Sequence, residues 1–202
     1  TITRLILLVI DVKETTVLKK RPNAGLNPET DFAEMYRNLA TYEFPWDINQ
    51  ALSFALFRTY AVPSVGSLLF GTDEFTSRTQ KRYDDTGLIL DAVLEHGITS
   101  TEGRSGIRRM NQMHGAYDIS NDDLMYVLTT FIYDPLDWID AYGWRRLRPN
   151  ERLAAFHFYR AVGERMKIKG IPQDIGEFRR WRDDYEARTM RYARTNELIG
   201  TY

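Results

Sequence analysis

The chain contains no cysteine among its 202 residues. This absence excludes disulfides, a thiolate nucleophile, a zinc site held by cysteine, an iron–sulfur cluster and a covalent c-type haem attachment. A metal ion in this protein must therefore be held by histidine, by carboxylates or by a cofactor.

The sequence also lacks an excess of either charge and any long apolar run. With 27 basic and 28 acidic residues the net charge is -1, which gives no electrostatic reason to expect a nucleic-acid partner. No stretch approaches the ~20 apolar residues of a membrane span. Residues 5–12 (LILLVIDV) are too few, and predict a buried strand or part of a core helix. The chain starts at Thr1 rather than Met, which fits a fragment, and a membrane anchor would then lie outside these residues.

Hydrophobic residues make up 43% of the chain and aromatic residues 13%, and the apolar positions recur mostly at helical spacing. We therefore predict an all-α fold, a single domain of about six to eight helices. The predicted helices cover roughly residues 28–39, 45–60, 75–96, 105–117, 121–143, 151–166 and 176–200. Asp47 is the expected cap of the second helix, Pro63 is expected to end it, and Gly97 is expected to follow the third. The last helix alternates in charge and predicts a mostly solvated face.

Residues 107–117 (IRRMNQMHGAY) contain one of the three histidines. At 3.6 residues per turn, four residues of this segment share one stripe: Ile107, Met110, His114 and Tyr117. His114 should therefore face inward, and Gly115 leaves room beside the imidazole. A core histidine that is hydrogen-bonded to a carbonyl would show the same pattern, so both interpretations stay open.

The other two histidines and the absence of metal-binding motifs limit the kinds of metal site that this sequence could form. His96 precedes the predicted cap glycine and His157 lies among aromatic residues, so we interpret both as structural. No H-E-x-x-H or E-x-x-H pair is present, which removes the main support for zinc protease and di-iron sites. A single histidine suits one axial bond to a haem iron, because the porphyrin supplies the other four ligands.

Two further clusters carry polar side chains. In residues 81–86 (KRYDDT), Arg82 and Thr86 share a helical face that continues into apolar positions, so they would need buried partners. An exposed charged turn at a helix start explains the same pattern equally well. In residues 142–151 (YGWRRLRPNE), the arginines are best explained as a helix-end charge network satisfied by Glu151 and Asp140.

Five segments, in order, resemble the MpaB/rubber-oxygenase family, specifically its fungal MpaB-like branch, over residues 42–196. They are EFPWDINQALSFALFRTYAVPS, KRYDDT, IRRMNQMHGAY, ISNDDLMYVLTTFIYDPLDWI and YGWRRLRPNER. The resemblance implies that residues 41–202 form a helical catalytic domain and that residues 1–40 add an N-terminal segment with the first helix, in one globular unit. It also implies an intracellular protein associated with endomembranes.

The latex clearing proteins of this family are all-helical haem b enzymes that cleave the double bonds of polyisoprene with dioxygen. The resemblance assigns the axial iron ligand to His114 and places Arg82 and Thr86 near the haem as catalytic and cofactor-binding residues. Met110 and Asn111 would complete the cofactor-binding set. The resemblance departs at Asp85, where the latex clearing proteins have lysine, and at Asn111, which stands in the helical turn where they have arginine.

The leading functional hypothesis is a haem b-dependent oxygenase that oxidises or cleaves an apolar, isoprenoid-bearing substrate with dioxygen. One alternative is a haem enzyme of the same fold that hydroxylates its substrate or uses peroxide. A second alternative is a cofactor-free helical module that binds a lipid or isoprenoid, and a third is a purely structural helical domain.

Overall fold

The computed structural model describes residues 22–72 and 79–199, without the side chains of residues 79–85 and 199. Within these ranges no residue forms a strand, and the all-helical prediction is confirmed. Nine helices follow one another: α1 (Phe32–Asn38), α2 (Pro45–Thr59), α3 (Pro63–Gly71), α4 (Thr79–His96), α5 (Thr101–His114), α6 (Asn121–Tyr142), α7 (Pro149–Arg165), α8 (Ile175–Thr189) and α9 (Arg194–Ile199). A π-helical turn, Leu39–Glu43, continues α1. The predicted N-terminal apolar element, residues 5–12, lies outside the described residues.

The helix N-termini follow capping chemistry that the sequence carries. Ser100, Ser120 and Asp174 each accept a hydrogen bond from the backbone N–H three residues later, which satisfies a donor that has no partner inside the helix. Proline occupies the first position of α2, α3 and α7, where its missing N–H costs nothing.

The predicted ends of α2, residues 45 and 60, agree with the structure to within one residue, but the roles predicted for Asp47 and Pro63 are wrong. Asp47 does not cap α2, because α2 already begins at Pro45 and Asp47 lies inside its first turn. Pro63 does not end α2, which stops at Thr59. It starts α3 instead, in the segment of residues 64–70 that we expected only to be a short apolar stretch.

Helix α6 is the centre of the core, as its apolar composition on all sides predicts. Its 22 residues include ten buried ones: Met125, Tyr126, Leu128, Thr129, Thr130, Ile132, Tyr133, Pro135, Leu136 and Ile139. Helices α2, α7 and α8 pack against it. The hairpin of α4 and α5 closes the core from another side through Val93, Ile98 and Ile107.

The prediction of one continuous C-terminal helix is wrong. Helix α8 ends at Thr189, and Met190 takes an extended conformation with ψ 122°. Arg191 then donates its backbone N–H to the carbonyl of Ala61 at 3.2 Å, and α9 packs against α3. No proline or glycine marks this break, so tertiary contacts with α3 decide it. Helix α8 also buries more than a solvated face would, namely Phe178, Arg182 and Tyr185.

Among the described residues, no single helix is both long and apolar enough to cross a membrane. Helices α2 and α3 reach that length and composition only when taken together, and their axes differ by 96°.

Candidate functional site

Helices α4 and α5 form an antiparallel hairpin closed by a tight turn. Gly97 takes a φ of +86°, which an L-residue with a side chain rarely adopts. Ser100 holds the turn, because its hydroxyl donates to the carbonyl of Gly97 at 2.9 Å and accepts from the N–H of Gly103 at 2.8 Å. A Cβ at Gly103 would lie 2.1 Å from the carbonyl oxygen of Gly97. The turn therefore depends on both glycines.

The register of the hairpin is set where Gly106 meets α4. A Cβ built on Gly106 would lie 3.5 Å from the carbonyl oxygen of Ile89 and 3.7 Å from Cγ2 of Val93. Because the two helices are antiparallel, each turn of α4 before Ile89 lies beside a turn of α5 after Gly106. The position of Thr86 therefore faces the turn of α5 that contains Met110, and the Arg82 position lies one turn further towards the end of α5.

The stripe predicted on α4 is present, and it points towards α5. Ile89 and Val93 are buried, and Thr86 one turn earlier is half-buried. The backbone of Arg82 belongs to the same stripe, but its side chain and that of Asp85 lie outside the described residues. The hairpin thus brings two predicted positions, which lie 28 and 32 residues before His114 in the sequence, to the same end of the hairpin as His114.

His114 is the last residue of α5 and lies on the inner face of this helix. Ile107 on the same stripe is buried, and Met110 packs against the core. His114 itself is half-buried, with its Nδ1 atom shielded from solvent. Tyr117 does not continue the stripe as predicted, because α5 ends at His114 and the chain turns there, which leaves Tyr117 46% exposed.

Asn111 connects α5 to a second helix. Its side-chain Nδ2 donates to the carbonyl oxygen of Arg165, the last residue of α7, at 3.0 Å. This bond satisfies a carbonyl that has no partner inside α7, and it holds the end of α5, with His114, against α7. The cofactor-binding role of Asn111 stays a prediction beside this structural one.

The chemistry of the site suits a single axial ligand. His114 offers one imidazole on the inner face of a helix end, next to the polarizable side chain of Met110. Among the side chains that the structure describes, no three of His, Asp or Glu are grouped so that they could hold a bare metal ion. One imidazole is what a haem iron takes from the protein on one side, so the residues present fit this group.

The other two histidines occupy structural positions. His96 is exposed at the end of α4. The ring of His157 lies between Phe32, at 6.3 Å between ring centroids, and Phe156, at 5.2 Å. Burial lowers the pKa of His157, and the charge of Arg160 lowers it further.

The arginine cluster after α6 is a charge network, as predicted. Arg145 donates to Glu151 at 2.8 and 2.9 Å and to Glu43 at 2.9 Å. Asp140, which was also expected to pair with an arginine of residues 142–151, pairs instead with Arg152 of α7. These arginines are therefore already satisfied within the described part of the chain.

Two grooves lie near these helices, and neither was predicted. The first, of about 480 Å³, runs along the outer side of the hairpin between Leu88 and Ala92 of α4 and Ser105 and Arg109 of α5. On a helix, Arg109 and His114 point about 140° apart, so this groove and the imidazole occupy different sides of α5. The second groove, of about 460 Å³, lies between α2 and α6. Its aromatic residues were visible in the sequence, but only the packing of two distant helices brings them together.

Comparison with known proteins finds matches that include helices α4 and α5. The sequence model of the family described as "ER-bound oxygenase mpaB/B'/Rubber oxygenase, catalytic domain" matches residues 50–200. The "ER-bound oxygenase mpaB" of Penicillium roqueforti (strain FM164) is 30% identical over 175 residues, which cover 78% of this chain and 59% of that protein. In Penicillium brevicompactum, "ER-bound oxygenase mpaB" and "ER-bound oxygenase mpaB'" are each 30% identical over 172 residues, which cover 76% of this chain. The chain spans about half the length of these relatives: 59% of the Penicillium roqueforti protein and 44% and 41% of the two Penicillium brevicompactum proteins, mpaB and mpaB'.

Proposed function

Because the chain belongs to the ER-bound oxygenase mpaB/B'/rubber oxygenase family, we propose that it is an oxygenase that uses haem b. The proposed substrate is an apolar molecule that bears an isoprenoid chain, and the proposed co-substrate is dioxygen. Relatives named oxygenases, together with the match to the family's catalytic domain, support the oxygenase activity.

The observation that carries the proposal is the register of the α4–α5 hairpin. It places the backbone of Arg82 level with the turn of α5 that ends at His114, and Thr86 level with the turn before it, which contains Met110. Any molecule bound through His114 would therefore lie beside the segment of α4 that carries Thr86 and Arg82.

Each residue of this group has a distinct proposed role. His114 would hold the cofactor iron through its imidazole, and Asn111 holds the end of α5 against α7, which would keep the imidazole in its direction. Met110 and Ile107, on the same inner face as His114, would keep water out. Thr86 and Arg82 would donate hydrogen bonds to the cofactor's carboxylates or to the oxygen substrate. The bound haem would supply the redox chemistry with dioxygen.

Asp85 separates this chain from the latex clearing proteins. An ionised aspartate neither donates a hydrogen bond nor supplies positive charge, whereas an ionised lysine does both. We therefore propose that the polar contacts to the oxygen substrate come from Arg82 and Thr86 alone. The relatives are named ER-bound, and we extend to this protein an association with the same membrane.

An absorption spectrum of protein purified from haem-replete cells, with a pyridine haemochrome assay, tests the cofactor. We expect a Soret band and about one b-type haem per chain, since one axial histidine binds one haem. His114→Ala should lose the haem, whereas His96→Ala and His157→Ala should keep it and so serve as matched controls. Protein that binds no haem even after reconstitution would contradict the proposal and favour a cofactor-free module that binds a lipid or isoprenoid.

Product analysis tests the reaction. The haem-loaded protein, supplied with an isoprenoid substrate and ¹⁸O₂, should place labelled oxygen at a former double bond. Thr86→Val should lower turnover more than it lowers the unfolding temperature. Equal losses in both would favour a structural role for this residue, and unlabelled products would favour peroxide-driven chemistry.

A further inference from the structure

The groove between α2 and α6 is lined mainly by exposed aromatic side chains. Phe54 and Phe57 of α2 are 57% and 58% exposed, and Tyr142 at the end of α6 is 70% exposed. Trp138 lies between them, half-buried, and Ala51 forms part of the floor. Large rings that remain this exposed on one concave surface are typical of a binding site.

The rings are held in place before any ligand arrives. Trp138 stacks on Phe54, with 5.3 Å between ring centroids and 22° between planes, and lies 4.8 Å from the ring of Tyr142. The indole Nε1 of Trp138 donates to Asp47 at 3.2 Å, which fixes the direction of the ring. The aromatic wall is therefore preorganised, and a ligand would not have to pay for ordering it.

The polar lining of the groove is two aspartates and one arginine, and the arginine is already occupied. Arg58 donates to both carboxylate oxygens of Glu186, at 2.8 and 2.6 Å. Asp134 accepts a single hydrogen bond in the described structure, from Arg182 at 3.2 Å. A carboxylate can accept about four, so Asp134, although it forms an ion pair with Arg182, has acceptor capacity left beside the aromatic wall.

We propose that this groove binds an organic cation of the methylated-ammonium class, with Phe54, Trp138 and Tyr142 as its aromatic wall and Asp134 as its counter-charge. A methylated ammonium is weakly hydrated and is attracted to the faces of aromatic rings. The carboxylate adds Coulomb attraction, which is stronger in a partly buried groove than in water. This site is separate from the His114 end of the α4–α5 hairpin and does not depend on the proposed oxygenase function.

The charges that surround Asp134 predict how binding changes with pH. Burial raises the pKa of Asp134 to about 6. The positive charges of Arg58 and Arg182 lower this pKa, and the negative charges of Asp137 and Glu186 raise it further. Asp134 is therefore ionised above pH 6 and mostly protonated at about pH 5. The cation should bind more tightly at pH 7.5 than at pH 5, because only the ionised carboxylate attracts it.

The experiment is isothermal titration of the full chain with choline, with 3,3-dimethylbutan-1-ol as the uncharged analogue of the same shape. We expect choline to bind and the alcohol to bind at least about tenfold more weakly. Phe54→Leu should weaken choline binding by about three- to thirtyfold, the range that one cation–π contact contributes. Tyr192→Leu, which changes a ring that is 76% exposed elsewhere, should leave binding unchanged.

The variant Asp134→Asn tests both whether the carboxylate charge attracts choline and whether it causes the pH dependence of binding. The variant should bind choline about tenfold more weakly at pH 7.5, and its affinity should no longer change between pH 5 and 7.5. Choline occurs both free and as a lipid headgroup, so vesicles of phosphatidylcholine and of phosphatidylglycerol are compared by flotation. If the protein prefers phosphatidylcholine vesicles and Phe54→Leu removes this preference, the cation is a lipid headgroup. If the protein binds free choline but not the vesicles, the cation is a soluble ligand. No binding of either form, or equal binding of the uncharged alcohol, overturns the proposal.

Discussion

Removing the charge of Glu151 in α7 probes how the helix ends are held together. Its carboxylate is 1% exposed, accepts two hydrogen bonds from Arg145 at 2.8 and 2.9 Å, and accepts a third from the backbone N–H of Arg148 at 2.9 Å. Burial by itself raises the pKa of Glu151, but the hydrogen bonds and charges of Arg145 and Arg148 outweigh burial, and the pKa is lowered.

The magnitude follows from these contacts. Glu151→Gln keeps the shape but turns an amide NH₂ towards a guanidinium, so at least one charge-assisted hydrogen bond, about 1.5–3 kcal/mol, is lost. Arg145 keeps its second partner, Glu43, at 2.9 Å, so the loss stays below the upper end of the roughly 3–5 kcal/mol for breaking a buried pair. We expect the free energy of unfolding at pH 7 to fall by about 2–3 kcal/mol.

Urea unfolding followed by circular dichroism measures this change. Glu164→Gln is the matched control in the same helix, because Glu164 also pairs with an arginine, Arg160 at 2.8 Å, but is 54% exposed. It should change stability by less than about 1 kcal/mol. Since the folded pKa of Glu151 is lowered, its contribution is present above the unfolded pKa and is lost as the pH falls through the folded pKa. Wild type and Glu151→Gln should therefore converge in acid, and a difference that persists unchanged at about pH 3, or equal effects at both glutamates, would refute the reasoning.

Three further predictions concern other positions. Because burial raises the folded pKa of Asp134 to about 6, the stability of wild type relative to Asp134→Asn should fall as the pH rises from 4.5 to 7.5, measured by urea unfolding. Gly163→Ala should cost about 1–3 kcal/mol, because its Cβ would lie 2.4 and 2.8 Å from two side chains, whereas Gly87→Ala, with nothing within 4 Å, should stabilise by up to about 1 kcal/mol in thermal unfolding. Asn111→Ala should remove the bond to Arg165 and speed amide hydrogen exchange at the end of α5; unchanged exchange there would contradict its role as a tie.

Much of the helical architecture could be predicted because it depends on local properties of the chain. The helical spacing of apolar residues, the glycine after α4 and the continuous apolar content of α6 all act through neighbours within a turn or two. The resemblance likewise could be stated from five segments in order, and the family match over residues 50–200 confirms it. The charge network of Arg145 and Glu151 was also predictable, since both residues lie at the same helix start.

The misplaced boundaries have a different cause. Residues 45–63 carry two prolines, and the sequence does not say whether the second ends one helix or starts the next. The break at Met190 has no local signal, and it depends on the contact of Arg191 with Ala61. Tyr117 has the right spacing for the inner stripe, but it follows the end of α5.

The sequence by itself determined which residues favour helix, that a glycine follows α4, and that His114 shares a stripe with Ile107 and Met110. Tertiary structure decided which stripes meet. The close approach at Gly106 sets the register that brings Thr86 level with Met110 and the backbone of Arg82 level with the end of α5. The packing of α2 on α6 brings separate aromatic residues together in one groove. The physical reason is that local patterns act through backbone hydrogen bonds within one helix, whereas a site needs contacts between helices that lie far apart in the chain.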